Sequence, residues 1–90
     1  MTTPILRVEH RRMGIYPYLF YAGEYLWPIS SEAVETLKRH VDDSPETFLK
    51  HLVETAATTK YLRHQLHAVL AGMVDRDTEL RAVQQTLRAM

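Results

Sequence analysis

The chain has no cysteine among its 90 residues. Disulfide staples and thiolate metal sites are therefore both excluded. It has three glycines, at 14, 23 and 72, and no two are close together. A phosphate-cradling loop needs clustered glycines, so none is present. No serine sits between the glycines that a nucleophile elbow needs. No apolar run approaches 18 residues, which excludes a membrane-spanning helix. No charge of either sign is in excess, with eleven basic and eleven acidic side chains. A nucleic-acid binder shows a basic face, and none is visible in the composition. The segment Met1-Thr2-Thr3-Pro4-Ile5-Leu6-Arg7 has no apolar core of an export signal, so the cytoplasm is the expected compartment. No cofactor is expected.

What remains is an ordinary globular composition, 46% hydrophobic. Ninety residues make one domain, 1–90. So short a chain buries a modest share of its surface and gains from a partner or a second copy.

Residues 1–29 read as the β part and 30–90 as the helical part. Ile5 to His10 alternates imperfectly, Arg11-Arg12 is a polar break, and Ile15 to Tyr21 is apolar and aromatic. Ala22-Gly23 is a turn signal before Tyr25 to Ile29. The expectation is an antiparallel hairpin or three-stranded meander. Pro17 has no N–H to give a ladder, so the strand carrying it should be an edge.

Ser30 or Ser31 is expected to cap the first helix, with Glu32 in its first turn. Ala33, Val34, Leu37 and Val41 form its apolar stripe. Asp42-Asp43-Ser44-Pro45-Glu46 ends that helix and starts the next, with Ser44 as cap and Pro45 in the first turn. From Pro45 to Met90 there is no further proline. One helix over those residues would run about 69 Å at 1.5 Å per residue, against a diameter of roughly 30 Å for a domain of this size. The helix must break or project. Thr58-Thr59 and Gly72 to Asp77 are the predicted breaks, with Asp77 as the candidate cap. The fold class is α+β: a short sheet followed by two to four helices.

Four constellations stand out. Leu62, Leu66, Val69, Met73, Arg76, Leu80, Val83, Leu87 and Met90 alternate in steps of four and three. That is the heptad-like seam of a coiled coil, and equally of a helical hairpin closed on itself. The dimer reading assigns Leu62, Leu66, Val69, Met73, Leu80, Val83 and Leu87 to oligomerisation.

The second constellation is aromatic: Tyr16, Tyr18, Phe20, Tyr21, Tyr25 and Trp27 fall within twelve residues. With Ala22-Gly23 as the loop, Phe20 faces Tyr25, Tyr18 faces Trp27 and Tyr16 faces Ile29; a bulged three-residue loop would shift the register by one and exchange one strand's faces. Pro17, Leu19, Tyr21, Leu26 and Pro28 occupy the other side. Both faces are sticky, and a two-layer domain covers one. Tyr16, Tyr18, Phe20, Tyr25 and Trp27 are the expected partner-binding residues, because Tyr and Trp are enriched at binding hot spots.

The third is the set of Arg7, Arg11 and Arg12 beside the aromatic strands, the residues a nucleic-acid-binding alternative would use. The fourth is His64 and His67, three apart on a helix. Two exposed ligands make a poor site, so no metal is expected. His10, His40 and His51 show no partner in the sequence, and Asp42, Asp43 and Glu46 read as capping residues.

The expected function is therefore a non-enzymatic protein-binding module. The profile is similar in kind to the small stand-alone inhibitors that phages and mobile elements encode against host machinery. That likeness lies in size, neutrality and missing chemistry, and no motif carries it. The alternatives are a nucleic-acid-binding regulator and a structural subunit of a larger assembly.

Overall fold

A computed structural model describes residues 6–11, 17–57 and 59–90, with the side chain of Trp27 outside the description. The chain is α+β. Strands β1 (Leu6–His10), β2 (Tyr18–Ala22) and β3 (Tyr25–Ile29) precede helices α1 (Ser31–Lys38), α2 (Pro45–Ala56), α3 (Lys60–Ala71) and α4 (Arg76–Ala89). The strands form an antiparallel meander in the order β1-β2-β3. The radius of gyration is 12.0 Å and the longest dimension 34 Å, so the helical half folds back as the length argument requires. Among the described residues, no helix is long and apolar enough to cross a membrane.

The hairpin turn sits one residue later than its sequence signal suggested. Gly23 and Glu24 form it, and Gly23 has φ +62°. A two-residue loop with left-handed glycine at its first central position is the type II′ geometry that matches strand twist. The pairing moves by two as a result: Phe20 lies opposite Trp27 and Ala22 opposite Tyr25. A shift of two keeps every side chain on its face, because the side-chain period of a strand is two.

Two further expectations are corrected. The strand after Pro17 is the central one, not an edge. Pro17 lies just ahead of it and accepts a hydrogen bond from the Arg11 N–H. The cap of α4 is Asp75 rather than Asp77: its carboxylate accepts from the Thr78 N–H at 3.2 Å and the Thr78 hydroxyl at 2.7 Å. Those two bonds, the hydroxyl's first, hold the Asp75 carboxyl below its ordinary value.

Both helix breaks fall where hydroxyl, glycine and acidic residues cluster. Thr59 caps α3 by accepting from the Leu62 N–H at 3.1 Å, and Gly72 closes it. Ser30 and Ser44 cap α1 and α2, with Pro45 in the first turn of α2.

One core joins the layers. Leu6, Val8, Phe20, Ala22 and Ile29 of the sheet meet Val34, Leu37, Phe48, Leu52, Leu66, Leu80, Val83 and Leu87 of the helices. The helices thus cover one face of the sheet. Both sheet edges are blunted. In a two-residue hairpin the closing pair is hydrogen-bonded, so Leu26 and Pro28 point their backbone groups outward from β3, and Pro28 has no N–H. At the β1 edge, the Leu6 N–H donates to Glu79 of α4 at 3.1 Å. Such protection discourages pairing with another strand.

Candidate functional site

The helices turn the aromatic face inward. Phe20 is completely buried in the core, and Tyr18 is half-buried against it. The Tyr18 ring also lies against that of His10, tilted by 37° with centroids 4.9 Å apart. Tyr25 stays 42% exposed at the turn. Tyr16 and the Trp27 side chain lie outside the described residues. Phe20 therefore cannot anchor a partner. A sheet this small needs its largest well-placed ring for the core.

Among the described residues, no helix covers the opposite face. Leu19 and Tyr21 of β2 and Leu26 and Pro28 of β3 share it by register with Arg7 and Glu9 of β1. Leu26 is 52% exposed and Pro28 is exposed. Polar side chains frame this strip. The Glu9 carboxylate receives Arg7 at 2.6 Å, Arg11 at 3.6 Å and the Tyr21 hydroxyl at 3.1 Å. The Arg7 guanidinium lies 3.9 Å from the centre of the Tyr21 ring, a cation–π contact. These two cross-strand contacts, to Arg7 and to Glu9, hold the Tyr21 ring against β1. The arginines singled out for nucleic acid are thus partly neutralised by Glu9. Arg12 lies outside the described residues.

Four of the seam residues are core, and Arg76 and Met90 are exposed. Leu66, Leu80, Val83 and Leu87 are at most 1% exposed within the single chain, while Leu62, Val69 and Met73 are half-buried against the same cluster. Val69 reaches the hairpin turn, its methyls 3.8 Å from where a Cβ at Gly23 would stand. The break at 72–75 lets α3 and α4 both face the core, so the seam is spent inside the chain.

A second cluster was invisible in the sequence. The turn after α1 brings His40 against His51 of α2, with the rings parallel within 8° and their centroids 3.5 Å apart. His40 Nδ1 lies 2.9 Å from Asp43 Oδ2. One donor atom from each of His40, Asp43 and His51 lies within 4.8 Å of the other two, and all three residues are half-buried. The pair His40 and Asp43, three apart in one turn, was a readable local contact. His51 joins only through helix packing. His64 and His67, by contrast, are both exposed on α3.

Helix α4 holds the turn that carries this cluster. Gln84, the sole buried polar residue among those described, donates to the Asp43 carbonyl at 2.9 Å and the His40 carbonyl at 3.4 Å. Arg88 bonds the Val41 carbonyl and pairs with Asp42. Between turn and helix runs an open groove of about 430 Å³, lined among others by Asp42, Asp43, Arg81 and Gln84. Replacing Gln84 by Met keeps the volume and strands two carbonyls. Urea unfolding of Gln84→Met is expected to show a loss of about 1–3 kcal/mol, and the His40 and His51 ring resonances are expected to broaden.

Comparison with protein-family models, curated proteins and solved structures finds no match. The functional reading therefore stands on geometry alone.

Proposed function

We propose that this chain is a non-enzymatic protein-binding module, an adaptor or stand-alone inhibitor acting in the cytoplasm, that docks its partner on the helix-free face of its sheet. The carrying observation is the strip of Leu19, Tyr21, Leu26 and Pro28, apolar along its length, half open to solvent and framed by Arg7, Glu9 and Arg11. An apolar centre with a polar rim is the anatomy of a protein interface. Tyr21 is a fitting anchor because its ring is held in place before any partner arrives, which lowers the ordering cost of binding. Two arginines against one glutamate leave the rim mildly positive. The matching partner surface presents an apolar knob beside a carboxylate. By register Tyr18, Phe20, Tyr25 and Trp27 lie on the other side of the sheet, and Tyr21 is the aromatic residue of this strip. A dimer through the seam is not carried forward, since its residues fill the core.

The test places a photo-crosslinking amino acid at position 26 and, as control, at exposed Gln85 on α4. Both proteins are irradiated in extract of the source cells. Position 26 is expected to give an adduct of discrete mass that disappears in an Arg7→Glu, Tyr21→Ala background, while position 85 gives none. Equal labelling from both positions, or no adduct from a folded position-26 protein, overturns the reading.

A further inference from the structure

We propose that His40, Asp43 and His51 form a binding site for a divalent transition ion, with zinc as the reference ion. This inference is independent of the docking face, because none of the three residues lies on the sheet.

The donor set decides the class of ion. Two imidazoles and one carboxylate, with no thiolate, suit ions of borderline softness such as zinc, nickel or copper. Calcium and magnesium prefer six or more oxygen donors or retained water, and one carboxylate does not supply them. Three protein ligands on zinc leave a fourth position for water or for a donor from another molecule.

The geometry is close to what the ion needs. Donors around a tetrahedral zinc with bonds near 2.1 Å stand about 3.3–3.5 Å apart. His40 Nδ1 and Asp43 Oδ2 are already at 2.9 Å, bridged by a proton. The ion takes the place of that proton, so the pair opens by only a few tenths of an ångström. All donor separations lie within 4.8 Å, so the third ligand moves inward by about 1.5 Å at most. His51 supplies that movement by turning its ring. Two imidazoles on one ion must aim their lone pairs at one point, whereas parallel rings aim them side by side. Binding therefore splays the stack of His40 on His51. All three residues are half-buried, which leaves the rings room to turn while the backbone stays fixed.

The support for the site is built in. The turn bearing His40 and Asp43 is clamped at both of those residues' carbonyls by buried Gln84, and by Arg88 at Val41 and Asp42 between them. His51 rides on α2, whose neighbours Phe48 and Leu52 are fully buried. Two of the three ligands thus sit on a turn fixed from behind, and the third on a packed helix. Outer partners of this kind hold metal ligands in place. The exposed pair His64 and His67 has no such backing.

The experiment titrates the metal-free full chain with zinc chloride alone and follows the histidine ring resonances by NMR. One equivalent of zinc is expected to shift the rings of His40 and His51, to leave those of His64 and His67 in place, and to raise the thermal midpoint. His51→Gln and Asp43→Asn, each checked for native circular dichroism, are expected to bind zinc at least tenfold more weakly. His64→Gln with His67→Gln is expected to bind as the parent does. The wild-type spectra carry the test even if a variant fails to fold. Zinc shifts confined to His64 and His67, unshifted His40 and His51 rings at several equivalents, or undiminished binding by folded His51→Gln would overturn the site.

Discussion

Phe20→Ala is expected to leave the chain only marginally stable at room temperature. Its ring is fully buried between β1, β3 and the helices. Removing a buried phenylalanine costs about 3–5 kcal/mol, through lost transfer energy and the cavity left behind. A domain of this size has about 5–15 kcal/mol in total, and a small one sits toward the lower end. Leu26→Ala on the other face of the same sheet is expected to change stability by no more than about 0.5 kcal/mol, since its side chain is already half in water. The pair of variants separates the two faces by urea unfolding. If Phe20→Ala were as stable as the parent, the helices could not be packed on that face, and the docking strip would have to be reassigned to it. If Leu26→Ala were the costly change, the strip would be core.

That pair also shows how far the sequence could be read. The alternation in residues 18–29 assigns side chains to two faces, and the shift of register by two left the assignment intact. Composition could not choose between the faces, because both are apolar. The choice was made by α4, which packs against β1, adds Leu80, Val83 and Leu87 to the common core and bonds the Leu6 N–H through Glu79. No residue within the strands records it. Local chemistry was legible at Ser30 and Ser44, whose hydroxyls each accept from the N–H three residues on, while Thr59 reads as a break and its cap on the Leu62 N–H came only with the structure. Even the cap of α4 was misplaced by only two residues, since Asp75 and Asp77 both precede an apolar repeat and differ in which can reach Thr78. The His40, Asp43 and His51 cluster was illegible for the opposite reason. It needs a turn closed by Gln84, 41 residues beyond Asp43, and a spacing of eleven between the two histidines has no meaning until two helices pack.

The seam between residues 62 and 90 was ambiguous in a different way, because a dimer and a self-closed pair of helices want the same spacing. The two arrangements respond differently to one substitution. Leu80 has no exposed surface in the single chain. Leu80→Ala is therefore expected to cost about 2–5 kcal/mol with no change in mass. Light scattering on the parent at micromolar concentration should give one chain, 10.5 kDa, and its thermal midpoint should not move with concentration. In a dimer zipped through the seam, folding and association would be one equilibrium, so the midpoint would climb with concentration. A dimeric mass that Leu80→Ala converts to a stable, folded monomer would overturn the internal packing of α3 and α4. A monomer that loses stability without losing a partner leaves the seam where the buried leucines place it. The helix-free sheet face is then the surface to probe for a partner.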